Sequence, residues 1–222
     1  MSLHTLDHYN PPPDEGLQLL YADDTLLLVD KPSGLLSVPG RGAGFDDCLI
    51  ARAQRQYPEA LIVHRLDMAT SGILLLARGP VMQRVLSLQF ASRAVRKTYT
   101  ALVEGKLTGE GRSTLPLICD WPNRPRQIVD LRLGKRACTD WQALHYDAAK
   151  ACSRVALQPH TGRTHQLRVH MQALGHPILG DGLYATAAGL AAAPRLMLHA
   201  SRLQLPHPLS GELLDIHCPA PF

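Results

Sequence analysis

The feature that most constrains this chain is the unbroken apolar run Ile73-Leu74-Leu75-Leu76-Ala77, which lies between Gly72 and Gly79. Its length and the flanking glycines favour a β-strand, and the absence of alternation indicates a strand buried on both faces. The chain has 222 residues, of which 45% are hydrophobic. That is enough apolar material to surround such a strand within one sizeable domain.

Strand patterns outnumber helix patterns along the chain, and most are joined by short turns. The predicted strands cover residues 17–21, 26–29, 73–77, 97–103, 139–146, 154–158, 196–205 and 213–217. This arrangement predicts an α+β fold, with a largely antiparallel mixed sheet flanked by helices and loops. We expect residues 1–13 to form a polar N-terminal tail, extended by its prolines, and residues 14–222 to form a single domain.

Three segments have helical patterns. Asp46 or Asp47 is predicted to cap a helix reaching about Tyr57. Pro80 opens a second helix, whose predicted inward side chains are Val81, Val85, Leu88 and Phe90. Thr164 is predicted to cap a third, from His165 to Leu174. The alanine-rich segment 187–193 is expected to be a loop, and residues 105–136 to be an ordered excursion carrying a functional loop.

Several kinds of site are disfavoured by spacing. The five cysteines form no CxxC pair, which argues against a disulfide framework and a cysteine zinc site. His165 and His170 would lie about 140° apart on a helix, too far round to share a metal. Phosphate-loop, dinucleotide and GxSxG signatures are missing from the sequence. We therefore expect neither a metal nor a cofactor, and the lack of an apolar leader or membrane-length run predicts a cytoplasmic protein.

An unusual charged segment, His64-Arg65-Leu66-Asp67, precedes Thr70-Ser71-Gly72 and the buried strand. A carboxylate at the mouth of a buried strand needs a partner, because desolvation otherwise raises its pKa. This makes Asp67 a candidate functional group. The ordinary alternative is that Asp67 caps a turn or pairs with Arg65.

A second charged segment runs from His160 through Arg163 into an amphipathic helix. Leu167, Met171 and Leu174 form its buried stripe, and Arg168 flanks that stripe. Arg163 and the helix N-terminus suit an anionic phosphate. The alternative is that these arginines are solvated on a surface helix.

Together these segments resemble the RluA-type pseudouridine synthases. The resemblance rests on six ordered motifs: Lys31-Pro32-Ser33-Gly34-Leu35, His64-Arg65-Leu66-Asp67 with Thr70-Ser71-Gly72, Lys97-Thr98-Tyr99, residues 162–170, residues 175–181 and residues 196–200. They cover nearly the whole chain. The resemblance implies the catalytic fold of that family, with an RNA-binding cleft and no separate N-terminal RNA-binding domain.

The resemblance also implies roles for individual residues. Asp67 would be the catalytic carboxylate, acting at C1′, at C6 of the base or on a C2′ proton. Arg168 would be its ion-pair partner, and Tyr99 would stack on the target uracil. Leu198 would pack against that base, while Arg65 would fill the space that the flipped base leaves.

The remaining predicted RNA contacts are His64 and Thr70 beside Asp67, Arg163, and the excursion residues Arg124 and Arg126. Residues 116–125 resemble the insert of family members that act on both a 23S rRNA loop and tRNA anticodon stem-loops. We therefore expect those two RNA classes as substrates. The alternative for the excursion is a charged loop that simply faces water.

Three other functions are compatible with the sequence. They are a synthase with one RNA target, a non-catalytic RNA-binding protein on the same fold, and a metal-dependent hydrolase using the histidines. The intact set of Asp67, Tyr99 and Arg168 favours an isomerase over a mere binding protein. We expect a monomer without a protein partner.

Overall fold

The structure is a computed structural model that describes residues 9–222; most of the predicted tail, residues 1–8, lies outside them. The strands are β1 (Leu19–Ala22), β2 (Leu26–Lys31), β3 (Ala60–Ile62), β4 (Ser71–Arg78), β5 (Arg96–Glu104), β6 (Glu110–Ser113), β7 (Leu117–Cys119), β8 (Gln127–Val129), β9 (Thr139–Asp147), β10 (Cys152–Pro159), β11 (Leu198–Pro206) and β12 (Leu213–His217). The helices are α1 (Leu49–Gln54), α2 (Gly79–Ala91), α3 (Gln166–Ala173) and α4 (Ala187–Ala191), with a 3-10 turn at Trp121–Asn123.

The described chain divides into two compact units. The first contains residues 9–97 and 199–221, and the second contains residues 98–198 with Phe222. A single catalytic domain over residues 14–222 therefore stays a prediction. None of the helices in the described part of the chain has the length and apolar character needed to cross a membrane.

The first unit is built around β4. This strand pairs antiparallel with β2 and β3 and parallel with β11, and β1 and β12 extend the sheet beyond β2 and β11. Every residue from Ser71 to Ala77 is buried. The prediction of a strand covered on both faces is thus confirmed. Its side chains join a core that includes Leu26, Leu28, Ile73, Leu75, Leu86, Leu203 and Leu205.

The second unit contains an antiparallel sheet in the order β5, β10, β9 and β6. A separate hairpin, β7 with β8, projects from the excursion between β6 and β9. Helix α3 packs against this hairpin through a small core of Leu117, Ala137, Val169 and Tyr184. Both units combine helices with mainly antiparallel strands, so the predicted α+β class is confirmed.

Two predicted helices differ from the structure. Helix α1 begins after Cys48 and ends at Gln54. Asp47 does not cap it, because Arg52 holds the Asp47 carboxylate at 2.7 and 2.8 Å. Helix α2 starts as predicted, but Val81 and Leu88 are each 63% exposed.

The buried stripe of α2 runs instead through Met82, Leu86 and Phe90. These residues are spaced four apart, as on one face of a helix. The predicted face is shifted from this observed face by about one residue. Among the predicted inward positions, Phe90 alone belongs to both stripes.

Two further predictions were wrong in detail. Helix α3 begins after His165, whose φ of 53° lies in the left-handed region, and Thr164 is not its cap. The Gln166 side chain instead accepts the Arg163 backbone N–H at 3.0 Å. The segment predicted as an alanine-rich loop forms α4. Thr186 caps α4 by accepting the Gly189 N–H at 3.0 Å. This cap defines where the helix starts, which the alanine content alone does not.

The glycine of the Thr-Ser-Gly sequence before the apolar run is required for a steric reason. Gly72 has a φ of 106°, and a Cβ at this position would lie 2.4 Å from the carbonyl oxygen of Ala200 on β11. The parallel pairing of β4 with β11 therefore requires a residue without a side chain.

We predict that Gly72→Ala is about 1–3 kcal/mol more destabilising than Gly79→Ala, because overpacking adds to the cost of the positive φ. Gly79 is a matched control: its φ is 82°, but a Cβ there would meet nothing within 4 Å. Chemical denaturation of the two variants measures the difference. Equal losses would show that close approach of Ala200 does not require the glycine.

Candidate active site

The ten residues predicted to form the site fall into two groups by compact unit. Those in the first unit are His64, Arg65, Asp67 and Thr70; those in the second are Tyr99, Arg124, Arg126, Arg163, Arg168 and Leu198.

Asp67 lies in an irregular segment between β3 and β4, and its backbone is held by a buried lysine. Lys31, at the end of β2, is completely buried, and its ammonium donates to the carbonyls of Met68 at 3.0 Å, Leu35 at 2.7 Å and Pro32 at 2.9 Å. An ammonium has three N–H donors, and here three carbonyls accept them. This fixes the peptide between Met68 and Ala69, one residue after Asp67.

Further hydrogen bonds hold the same segment from both sides. The Ser37 hydroxyl donates to the Leu66 carbonyl at 2.8 Å and lies 3.2 Å from the Leu66 nitrogen. The Ser33 hydroxyl donates to the Ala69 carbonyl at 2.7 Å, and the Gly34 N–H donates to Met68 at 2.9 Å. The motif Lys31-Pro32-Ser33-Gly34-Leu35, together with Ser37, is therefore a clamp on the Asp67 segment. Sequence reasoning did not find this role.

The N-terminal residues described in the structure support this clamp. The Tyr9 hydroxyl accepts the Leu36 N–H and donates to the Asp47 carbonyl, both at 2.9 Å. Arg52 donates to the carbonyls of Pro12 and Pro13 at 2.6 and 3.2 Å. Residues 9–13 of the predicted tail are thus tied to the body of the first unit.

The His64 ring is held by contacts within the first unit. Its Nε2 accepts the backbone N–H of Leu75 at 3.0 Å, and its ring stacks on Phe90 with centroids 4.6 Å apart. Burial of the ring, together with the nearby ammonium of Lys97, lowers the pKa of His64 to about 3. The ring is therefore neutral at pH 7, with its proton on Nδ1, and its predicted contact with RNA stays a prediction.

The other two residues of this group differ in exposure. Arg65 is exposed, as a side chain that reaches a large ligand must be. Thr70 is only 2% exposed, and its N–H donates to the Asp67 carbonyl at 3.0 Å, closing the turn into β4. Asp67 itself is half-buried.

In the second unit, Arg168 on α3 forms a buried ion pair. Its Nε and Nη2 each donate to a carboxylate oxygen of Asp181 at 2.7 Å, and both side chains are almost completely buried. This two-pronged geometry fixes the plane of the guanidinium. Asp181 belongs to the motif 175–181, but sequence reasoning gave it no role.

Tyr184 is a second residue that sequence reasoning missed. Two guanidiniums pack on its ring, those of Arg126 and Arg168, at 5.2 and 5.0 Å from the centroid. Burial raises the pKa of Tyr184 to about 12, so its hydroxyl keeps its proton. The hydroxyl accepts the Gln127 N–H at 2.8 Å and lies 2.7 Å from Nδ1 of His165, to which it can donate. Tyr184 thereby joins the β7–β8 hairpin to the helix that carries Arg168.

The remaining predicted residues of the second unit occupy different surroundings. Tyr99 is half-buried on β5 opposite Leu157, and Leu198 is 3% exposed at the start of β11. Arg163 is exposed, with its Nε donating to the Arg136 carbonyl at 3.0 Å. Arg124 is exposed at the hairpin tip, and Arg126 is half-buried where the tip meets β8.

Within residues 9–222, two clusters could each offer three ligand atoms to a metal ion. In the second unit these are Cys138, Asp140 and His160, but Arg112 already binds both oxygens of Asp140 at 2.5 and 2.9 Å. In the first unit they are Asp30, His199 and Cys218. Burial raises the pKa of the Cys218 thiol to about 12, which disfavours the thiolate that a metal would bind.

Comparison with known proteins decides the family. Residues 25–173 match the sequence model of the RNA pseudouridylate synthases. The chain belongs to this family. It is therefore an isomerase that acts on RNA and converts uridine to pseudouridine.

Relatives match over nearly their whole length. The chain is 51% identical over 218 residues to the "Dual-specificity RNA pseudouridine synthase RluA" of Escherichia coli (strain K12), covering 98% of this chain and 99% of the relative. A protein with the same description from Haemophilus ducreyi is 46% identical over 221 residues, with the same coverage.

A solved structure agrees with the fold. "Human RNA Pseudouridylate Synthase Domain Containing 1" superposes with a TM-score of 0.79 at 29% identity, covering 96% of this chain and 87% of that one.

We predict that His64→Gln flattens the acid side of the stability profile. Between pH 6.5 and about 3 the unfolded chain binds a proton at His64 that the folded chain does not, so folding stability falls as pH falls through this window. Removing the imidazole should reduce the slope of the unfolding free energy by up to about 1.4 kcal/mol per pH unit.

Urea unfolding at pH values from 4 to 7 measures this slope. The exposed His145 provides the control, since His145→Gln should leave the slope as in the wild type. A His64→Gln slope indistinguishable from that of His145→Gln would show that His64 is not held neutral by the fold.

Proposed function

We propose that this isomerase modifies uridines in two kinds of structured RNA, a 23S rRNA loop and tRNA anticodon stem-loops. The observation that carries the proposal is the 51% identity, over 98% of this chain, to a relative described as having dual specificity. The insert-like segment 116–125 supports it, because this segment supplies β7 and most of the tip of a distinct hairpin, 117–129, that carries Arg124 and Arg126.

In the proposed reaction Asp67 is the catalytic carboxylate. Uracil leaves C1′, rotates and is reattached through C5, so the reaction involves neither a redox change nor transfer to a second molecule. The chemistry requires one carboxylate held at the glycosidic bond. The clamp formed by Lys31, Ser33 and Ser37 supports this role, because it fixes the backbone on both sides of Asp67 before substrate binds.

Arg168 and Tyr99 complete the proposed catalytic set. A guanidinium favours the ionised form of a carboxylate, and the pair with Asp181 holds Arg168 rigidly for that task. Tyr99 stacks on the uracil and Leu198 provides an apolar contact to it; base stacking on an aromatic ring stabilises binding by about 1–3 kcal/mol.

The target base must leave its stack, which costs a few kcal/mol and less in a loop than in a duplex. Arg65 fills the vacated space, a role that its exposed side chain suits. His64 and Thr70 hold the neighbouring backbone, and Arg124, Arg126 and Arg163 contact phosphates. We also propose that the protein is a monomer and that it is cytoplasmic.

We predict that Asp67→Asn abolishes pseudouridine formation in both RNA classes while changing RNA affinity less than about threefold, because the basic contacts that dominate affinity remain. Purified protein should be assayed on a tRNA anticodon stem-loop and a 23S rRNA loop fragment, with affinity measured in parallel. The exposed Asp46 provides a matched control, as Asp46→Asn should retain turnover.

The outcomes separate the parts of this proposal. Substantial turnover by Asp67→Asn would contradict the catalytic assignment. Turnover by the wild type on one RNA class alone would retain the chemistry and refute dual specificity. Binding without turnover on either RNA would favour the RNA-binding alternative.

We predict that the double variant Arg124→Gln/Arg126→Gln weakens RNA binding and lowers its salt dependence. Each lost phosphate contact should reduce the slope of log K against log salt concentration by about 1, giving a reduction of about 2. The control Arg84→Gln/Lys150→Gln removes the same charge from exposed positions elsewhere. Titrations from 50 to 300 mM salt, on the order of the physiological range, measure both slopes; equal slopes would make the hairpin an ordinary solvated loop.

A further inference from the structure

The tip of the β7–β8 hairpin is closed by its own hydrogen bonds. Asp120 and Arg126 are joined by a backbone bond of 3.0 Å, and Asn123 bonds to both of them through its backbone, again at 3.0 Å. The Asn123 side-chain amide also donates to the Asp120 carboxylate at 2.9 Å. The tip is therefore a preformed structure, so little ordering is needed when a ligand binds to it.

This tip displays a tryptophan to solvent. Trp121 is 65% exposed, whereas a side chain of this size normally contributes to a core or an interface. The Arg124 guanidinium lies over the indole, 4.5 Å from the ring centroid, and its Nε donates to the Trp121 carbonyl at 3.2 Å. One face of the ring is thus covered by a cation while much of the indole stays accessible.

The charges around the tip select the kind of ligand. Segment 114–138 contains five cations (Arg124, Arg126, Arg132, Lys135 and Arg136) and two carboxylates. Both carboxylates are used within turns: Asp120 accepts from Asn123, and Asp130 accepts the N–H groups of Arg132 and Leu133. Four of the cations, Arg124, Arg132, Lys135 and Arg136, are exposed, so an external anion can reach them.

The end of the tip next to β8 is attached to the rest of the second unit. Arg126 lies over the Tyr184 ring, and the Gln127 N–H donates to the Tyr184 hydroxyl. Because Arg168 also packs on Tyr184, a ligand at the hairpin binds to the same packed cluster that positions Arg168.

We propose that Trp121, backed by Arg124, is a stacking site for one unpaired nucleobase of the substrate RNA, distinct from the target uridine. A flat aromatic ring with an adjacent cation, on a basic hairpin, matches a base with its phosphate better than it matches a protein surface. This inference rests on the proposed function in taking structured RNA as the ligand.

A second copy of the chain is the competing occupant. Leu131 and Leu133 on the turn after β8 are 78% and 73% exposed and could join Trp121 in a self-association surface. The charge balance disfavours this, because like cations would be brought together across a contact between two copies.

The first test measures the affinity of the full-length protein for a 17-nucleotide RNA stem-loop, a probe of about anticodon size. Trp121→Ala should raise Kd about tenfold or more, and Trp121→Phe, which keeps a stacking ring, should stay within about threefold of the wild type. Leu131→Ala is the control for lost apolar surface and should leave Kd unchanged. A Kd for Trp121→Ala equal to that of the wild type would overturn the proposal.

The second test observes the stack directly. The chain has two tryptophans, so Trp141→Phe leaves Trp121 as the only indole emitter. Added stem-loop should quench this emission, and an abasic nucleotide at one loop position should remove the quenching while the same substitution elsewhere does not. Quenching that is insensitive to every abasic substitution would contradict base stacking, as would a dimer in sedimentation that Trp121→Ala dissolves.

Failure of this inference is distinguishable from failure of the proposed function. Pseudouridine formation by the wild type, with unchanged affinity in Trp121→Ala, would refute the stacking site and leave the function intact. Position-specific quenching without pseudouridine formation would support the site while contradicting the proposed substrates.

Discussion

A lysine ammonium removed from water must have its three N–H donors accepted, and at Lys31 three backbone carbonyls do so. One acceptor belongs to Met68, directly after the candidate catalytic carboxylate. The buried strand β4 begins a few residues later, with Gly72 allowing β11 to approach closely. The local structure of the first unit can thus be understood as a means of holding Asp67 where an irregular segment meets a rigid strand. A carboxylate on such a segment can be presented to a substrate without depending on the mobility of a free loop.

Much of the fold could be predicted because local pattern and burial agree. The run from Ile73 to Ala77 permits few structures other than a covered strand, and β12 was predicted with its observed bounds. Errors arose where a specific side-chain contact decides a local feature. Asp47 is a good helix cap by composition, but Arg52 binds its carboxylate. Helix α4 depends on Thr186 as its cap, and Thr186 is in turn held by Glu104, 82 residues away. The face of α2 was misjudged because several adjacent apolar residues allow more than one stripe.

For the site, sequence identified the residues that carry charge but not those that hold them. Asp67 and Arg168 stand out because charged groups beside buried elements are unusual. Asp181 and Tyr184 do not, because an aspartate in a turn and a lone tyrosine are common in any sequence. Only the structure shows that they fix Arg168 between a carboxylate and an aromatic ring. Local pattern carries no information on such pairings, since they join residues that the fold brings together from different elements. The Lys31 motif was recognised by resemblance, while its physical role required coordinates.

The central claim is that this chain makes pseudouridine in two RNA classes by means of one carboxylate. It is tested most directly by position-resolved pseudouridine mapping of total RNA from cells lacking the gene, complemented with either the wild type or Asp67→Asn. The account predicts that marks in a 23S rRNA loop and in a set of tRNA anticodon loops disappear together, return with the wild type and stay absent with the variant. Marks that persist in both RNA classes without the gene, or that Asp67→Asn restores, would contradict it.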